Sequence, residues 1–135
     1  MDIIRNPAVE DLLVIQPGLL AKHGDYAAAR IRDGMAFLAK MDNKPIGFLI
    51  YGIIWGNTPF IEHIKIVPDA QRQGIGSKLL EAAKIDIKTK GFAKLLSSTE
   101  VINGLGLGFH AKHSFKDIGM LAMPHGDEKF YELSL

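Results

Sequence analysis

Between Val67 and Leu79 the chain carries a run of residues suited to holding a phosphate. Pro68-Asp69-Ala70 leads into Gln71-Arg72-Gln73-Gly74-Ile75-Gly76, with a strand pattern before it and a helical pattern after it. At a helix start successive backbone N–H groups lack partners, and the helix dipole there favours an anion. Glycine lets a phosphate come close to the backbone. The segment is not a Walker A loop, because no Gly-Lys-Ser/Thr follows. Nor is it G-x-G-x-x-G, because Leu79 takes the third glycine position. The segment predicts a phosphate-bearing ligand; a tight strand-to-helix connection is the other use of such a turn.

The elements that must position this loop follow from periodicity. Asp2 to Arg5 reads as a strand, broken at Asn6-Pro7, and Ala8 to Ile15 as a helix that ends near Pro17-Gly18. Leu19 to Asp33 reads as a second helical region interrupted at Gly24, with Asp25 as N-cap for Tyr26 to Ile31. Met35 to Met41, Ile46 to Ile54 and Phe60 to Val67 read as three strands separated by turn clusters. The second is apolar almost throughout, the mark of a central strand. Strict alternation on the third places Phe60, Glu62, Ile64 and Ile66 on one face and Ile61, His63, Lys65 and Val67 on the other. Gly74 to Lys90 is helical, with Ile75, Leu79, Leu80, Ala83 and Ile87 as its apolar stripe and Gly91 as C-cap; Ile85 and Asp86 do not fit the stripe. Ala93 to Thr99 is a strand, Asn103 to His113 a helix, and Lys116 to Met123 and Lys129 to Leu135 are strands. The order β-α-α-β-β-β-α-β-α-β-β is that of an α+β or α/β domain with a mixed sheet and helices on its faces.

The composition narrows the function classes. The 135 residues fit one domain, residues 1–135. Sixteen Lys plus Arg against fifteen Asp plus Glu leave a net charge of +1, which gives no electrostatic case for binding nucleic acid. The cluster Lys84, Lys88, Lys90 and Lys94 reads as a solvated helix face and the turn after it. Without cysteine there is no disulfide, thiolate metal site or Cys nucleophile. The first residues lack the pattern of a signal peptide, and Ile46 to Trp55 is too short to cross a bilayer as a helix. A soluble, cytoplasmic protein without membrane or nucleic-acid partners is expected.

Gln71-x-x-Gly74-x-Gly76 resembles the Q/R-x-x-G-x-G/A signature of the GNAT (GCN5-related N-acetyltransferase) superfamily, in which this loop holds the coenzyme A pyrophosphate. FIEHIKIVPDAQRQGIGSKLL is similar to that family over its full length, and the likeness covers Met35 to Phe115 well. Asn103-x-x-Gly106-x-x-Phe109-His110-x-Lys112-x-Ser114-Phe115 resembles the family's N-x-x-A-x-x-F-Y-x-K-x-G-F helix, with Gly106 for Ala, His110 for Tyr and Ser114 for Gly. The resemblance implies the GNAT acyl-CoA N-acyltransferase fold: an α+β three-layer sandwich with a mixed, mostly antiparallel sheet. It implies acetyl-CoA as cosubstrate, an amine as acceptor, and direct attack in a ternary complex. Ile64, Lys65 and Ile66 would pair with the pantetheine arm. Gln71, Arg72, Gln73, Gly74, Ile75, Gly76 and Ser77 would bind the pyrophosphate, and Asn103 would touch the cofactor.

The acceptor arrives as an ammonium and must lose a proton, which Glu62 is placed to take through water. His110 stands where the family's Tyr protonates the departing thiolate. Gly104, Gly106 and Gly108 weaken their helix by about 1 kcal/mol each relative to Ala. His110 and His113 lack a carboxylate in register, so no metal is expected; His23 and His125 lie in loops with no visible partner. Ser97, Ser98 and Thr99 read equally as substrate contacts or strand-end hydroxyls, and Tyr51 and Trp55 as core or interface. The acceptor pocket would be built by Gln16 to Tyr26 and Pro124 to Glu128, which name no substrate. The acceptor is thus defined only as a class: a small-molecule amine, an amino acid, a peptide N-terminus or Lys. A rival reading keeps the fold without turnover, as an acyl-CoA-binding sensor or regulatory module. A homodimer through edge strands is compatible with either.

Overall fold

The computed structural model describes residues 1–19 and 25–135. Part of the expected Leu19–Asp33 helical region, with Gly24 and His23, lies outside the described residues. In chain order the elements are β1 (Asp2–Arg5), α1 (Val9–Ile15), α2 (Tyr26–Arg32), β2 (Ala36–Met41), β3 (Lys44–Ile54) and β4 (Thr58–Ile66). A 3-10 turn (Pro68–Ala70) leads to α3 (Ile75–Thr89), then β5 (Lys94–Glu100), α4 (Gly104–Lys112), β6 (Lys116–Met123) and β7 (Gly126–Ser134). The seven strands run in the order β1-β2-β3-β4-β5-β7-β6. All neighbours are antiparallel except β4 and β5.

The sheet is sandwiched between two apolar layers. On one face Leu12 and Ile15 of α1 and Ala27 of α2 pack on Leu38, Phe48 and Ile50. On the other, the α3 stripe Ile75, Leu79, Leu80, Ala83 and Ile87 packs on Phe37, Leu49, Tyr51 and Ile61. Each large apolar side chain so buried contributes about 1.5–3 kcal/mol. β3 is buried on both faces, as expected of a central strand. Asp86 pins α3 to β1 and β3, because its carboxylate takes Arg5 at 2.8 Å, Lys90 at 3.2 Å and the Tyr51 hydroxyl. Ile85 is exposed, and nothing in the structure explains it. Lys84, Lys90 and Lys94 each pair with a carboxylate, Glu81, Asp86 and Glu132, as a solvated face would. Tyr51 is core, whereas Trp55 sits exposed in the β3–β4 turn. Among the described residues no helix is long and apolar enough to cross a membrane.

β4 departs at one point from the alternation read in the sequence. Ile50 faces His63 and Tyr51 faces Ile61, so Glu62 is an extra residue, a β-bulge. The bulge resets the side-chain phase. Ile61 therefore shares the α3-side core with Ile64 and Ile66, while Glu62 and His63 both meet Tyr26 of α2. The expected grouping of Glu62 with Ile64 and Ile66, and of Ile61 with His63, is corrected on this point; His63 does lie opposite Ile64 and Ile66, but shares that side with Glu62.

Candidate active site

β4 and β5 are registered only at Phe60↔Leu96. Beyond that point the strands part, and a groove of about 1110 Å³ opens between them, α3 and α4. Its β4 wall offers backbone. Val67 N–H donates to Ile46 O at 2.9 Å, so Val67 and Ile46 are a hydrogen-bonded pair. By alternation, Ile66↔Gly47 and Ile64↔Leu49 are non-hydrogen-bonded pairs, and the N–H and C=O of Ile64 and Ile66 turn away from β3 towards the groove. Lys65 sits in a hydrogen-bonded pair with Phe48, so its backbone serves the sheet and its exposed side chain borders the groove. Gln71 Nε2 donates to Ile66 O at 3.2 Å, which anchors the loop to the strand it leaves.

The loop then takes two left-handed residues, Arg72 (φ 63°) and Gly74 (φ 78°). The first bond of α3 runs from Lys78 N–H to Gly74 O at 3.2 Å, so the N–H groups of Ile75, Gly76 and Ser77 precede the helical ladder. The N-cap residue supplies no side-chain hydrogen bond at this end. A Cβ built on Gly74 would meet nothing within 4 Å, so glycine serves the positive φ, with open space beside it at the helix start. Gly76 is different: a Cβ there would stand 3.3 Å from the Phe109 ring of α4. Gln73 Nε2 bonds Asp69 O at 3.1 Å, and Ser77 Oγ and His113 Nε2 join α3 to the end of α4 at 3.1 Å.

Across the groove, Asn103 caps α4 by accepting from Gly106 N–H at 3.0 Å. This cap offsets part of the cost of the helix glycines. Gly106 also has a tertiary reason, since a Cβ there would lie 2.2 Å from Thr99 Oγ1. His110 is buried and stacked on Tyr131 of β7, ring centroids 4.2 Å apart. Its Nδ1 lies 2.6 Å from Gly106 O and its Nε2 lies 2.7 Å from Ser97 Oγ. A carbonyl only accepts, so Nδ1 carries the proton, and Nε2 of the neutral ring accepts from the Ser97 hydroxyl. Burial, opposed by the Gly106 bond and assisted by nearby His113, holds the His110 pKa below its ordinary value.

Glu62 is held from α2. Its Oε1 accepts from Tyr26 Oη at 2.8 Å and Arg30 Nε at 2.7 Å, and its Oε2 from an Arg30 terminal nitrogen at 3.0 Å. Each carboxylate oxygen has two acceptor positions, so Oε2 keeps one for a further donor. Burial, then Glu62 itself, holds the Tyr26 phenol above its ordinary pKa, so it stays a donor. The carboxylate lies over Gly52, where a Cβ would come within 2.9 Å of it.

Ser98 Oγ donates to Glu128 Oε2 at 2.7 Å, and His125 Nε2 meets Glu128 Oε1 at 3.0 Å, so His125 has a partner that sequence spacing did not reveal. With Glu100 these are the one His/acid group, among the described residues, whose ligand atoms fall within 4.8 Å. Both Glu128 oxygens are already bonded, and no metal is assigned. His110 and His113 turn to different serines and do not converge on one ion. Ser97, Tyr26 and Arg30 are the site residues whose roles sequence reasoning missed. Their partners lie 13 to 36 positions away, and no local pattern marks them.

Comparison with known proteins agrees with this geometry. The profile of the Acetyltransferase (GNAT) family matches residues 7–115, and the chain belongs to that family. It is 34% identical over 80 residues to streptothricin acetyltransferase A of Bacillus subtilis (strain 168), covering 59% of this chain and 46% of that protein. It is 28% identical over 105 residues to aminoglycoside N(6')-acetyltransferase type 1 of Klebsiella aerogenes, covering 77% of this chain and 67% of that one. The matches thus span about half to two thirds of these curated relatives. A GNAT family acetyltransferase from Elizabethkingia anophelis, solved with acetyl-CoA bound, superposes with a TM-score of 0.74 at 21% identity over 99% of this chain and 97% of its own. The fold is the GNAT fold.

Proposed function

We propose that residues 1–135 act as one N-acetyltransferase domain that moves the acetyl group of acetyl-CoA to a primary amine, by direct attack in a ternary complex. The observation that carries this reading is the groove. A strand edge with outward-facing backbone at Ile64 and Ile66 runs into an uncapped helix N-terminus at Ile75–Ser77. The first matches an extended chain bearing amides, and the second matches a phosphate at its end. In this reading Ile64 and Ile66 pair with the pantetheine arm, and Lys65 and Arg72 bring cationic charge to the diphosphate. Gln71, Gln73, Gly74, Ile75, Gly76 and Ser77 shape and supply the anion cradle. Asn103 keeps its side-chain NH₂ for the cofactor while its oxygen caps α4.

Glu62 takes the proton of the incoming ammonium through a water on Oε2, and His110 manages the proton of the departing sulfur. The carboxylates of Glu62, Glu100 and Glu128 all border the groove, which favours a cationic acceptor. The relatives named for streptothricin and aminoglycosides support the same class. No metal enters the proposed chemistry. The test is calorimetry with acetyl-CoA and ATP, followed by thiol release with a panel of primary amines. Saturable acetyl-CoA binding and amine-dependent thiol release are expected. Binding of ATP in preference to acetyl-CoA would overturn the proposal, and binding without release would leave the sensor reading in its place.

We also place the protein in the cytoplasm, where a cysteine-free chain loses nothing to reducing conditions. A homodimer is part of the proposal, supported by β6: it is an edge strand, every residue is exposed, and Ile118, Met120, Leu121 and Met123 are apolar. Sedimentation velocity should report twice the 14.8 kDa chain mass, and a monomer at micromolar concentration would remove the dimer from the proposal.

A further inference from the structure

We propose that Ser97 and His110 form a proton relay that carries one proton from the acceptor nitrogen to the departing sulfur, with the Ser97 hydroxyl as the group in contact with both. The inference rests on the transferase reading above and adds a catalytic residue to it.

The relay follows from which atoms are committed. The one N–H of neutral His110 is given to Gly106 O, so the ring has no proton to offer the groove directly. Its lone pair at Nε2 meets the Ser97 hydroxyl, at 2.7 Å. Ser97 and His110 both line the groove wall, with Ser97 only 1% exposed in the free protein, and Ser97 lies on β5 just past the Phe60↔Leu96 pair where the strands part. Nucleophile-activating and proton-relaying sites share this layout: a hydroxyl, a base within hydrogen-bond reach, and a third group that fixes the base's tautomer. The stack on Tyr131 and the edge contact with Phe115 hold the ring plane.

Every proton in the cycle has a donor and an acceptor. Glu62 first takes one proton from the ammonium, leaving a neutral amine. The amine nitrogen attacks the thioester carbon, the C–N bond forms, and the carbonyl π pair moves to oxygen. The nitrogen, now cationic, gives a proton to Ser97 Oγ as the Ser97 proton passes to His110 Nε2. When the tetrahedral species collapses, the C–S bond breaks and sulfur keeps the pair. Sulfur then takes a proton from Ser97 Oγ, which regains one from His110 Nε2. Nitrogen and sulfur are on the same carbon in that species, so one hydroxyl reaches both. Ser97 and His110 end as they began, Glu62 returns its proton to solvent water, and no other reactant is needed.

The relay needs His110 neutral at rest. The titratable groups around the ring are His113 on its own helix and Tyr131 stacked from β7; β5 presents the uncharged Ser97 and Thr99, and Phe109 and Phe115 complete the surroundings. Among the described residues no carboxylate faces the ring to favour the imidazolium, and burial opposes it. Activity should therefore fall on the acid side, as Nε2 takes a proton from solvent, and should show no alkaline limb from His110.

The experiment measures thiol release from acetyl-CoA with spermidine, an aminoglycoside and a lysine-bearing peptide, between pH 5.5 and 9, for wild type, Ser97→Ala and Ser97→Thr, with these pH limits set about the reference His value of roughly 6.5. Ser97→Ala should lower kcat by about 10²- to 10⁴-fold with acetyl-CoA affinity unchanged, and its residual rate should lack the acid limb. Ser97→Thr keeps a hydroxyl and should recover most of the loss. Nitrogen-15 spectra of the free protein should show His110 protonated at Nδ1 only. Wild-type turnover matched by Ser97→Ala across the range, or a His110 ring protonated at Nε2, would overturn the relay and leave the transferase reading standing. No release from wild type with any amine, despite acetyl-CoA binding, would overturn that reading itself and the relay with it.

Discussion

Gly74→Glu should weaken acetyl-CoA binding by at least about 10²-fold, because like charges brought together at a binding surface cost several kcal/mol. Gly74 has φ 78°, and a residue with a Cβ pays roughly 1–2 kcal/mol to stay left-handed. That strain lowers stability without unfolding a domain with two buried layers. No protein atom outside the adjoining residues lies within 4 Å of the added Cβ, so the new side chain enters open space at the start of α3. In the proposed complex that space holds the diphosphate. Gly74→Asn separates the two effects, because Asn accepts left-handed φ and adds no charge. It should bind acetyl-CoA much more tightly than the Glu variant. Calorimetry on both variants, with circular dichroism to check folding, makes the comparison. Wild-type affinity in a folded Gly74→Glu would mean that the phosphates lie elsewhere.

Much of this architecture was legible because local and tertiary signals agree. The α3 stripe, the doubly buried β3 and the glycine loop between a strand and a helix each depend on neighbours in sequence. What escaped notice depends on neighbours in space. The bulge at Glu62 carries no glycine or proline to announce it, and strict alternation therefore put Glu62 on the same side of β4 as Ile64 and Ile66. Gly106 read as a weak point in a helix. The structure shows that the Thr99 hydroxyl fills the volume a Cβ would need, so the glycine answers a strand seven positions earlier. His110 read as a substitute acid for a phenol. Only the contacts with Gly106 O and Ser97 Oγ show that its one N–H is committed to a carbonyl and its lone pair faces the Ser97 hydroxyl.

The bulge also changes what removing Glu62 should do. Sequence alone made Glu62 a carboxylate on a strand; the structure makes it one end of a cluster with Arg30 and Tyr26, the guanidinium stacked 5.1 Å from the Tyr26 ring centroid. A charge so held cannot swing to find a proton, but Oε2 keeps one acceptor position fixed in space. Glu62→Gln preserves the shape and some of the hydrogen bonds while removing the proton acceptor. We expect kcat to fall by about 10²-fold or more at saturating amine, with acetyl-CoA affinity nearly unchanged. Tyr26→Phe tests the alternative that the cluster matters only as a brace between α2 and β4. It deletes one hydrogen bond to Oε1 and leaves the carboxylate charge and the Arg30 fork in place. A proton-accepting Glu62 predicts a small loss in Tyr26→Phe and a large one in Glu62→Gln. A pure brace predicts that both variants lose stability and that neither loses much kcat once folded. Steady-state kinetics and melting curves on the two variants separate these outcomes, and near-wild-type turnover by Glu62→Gln would assign proton removal to water.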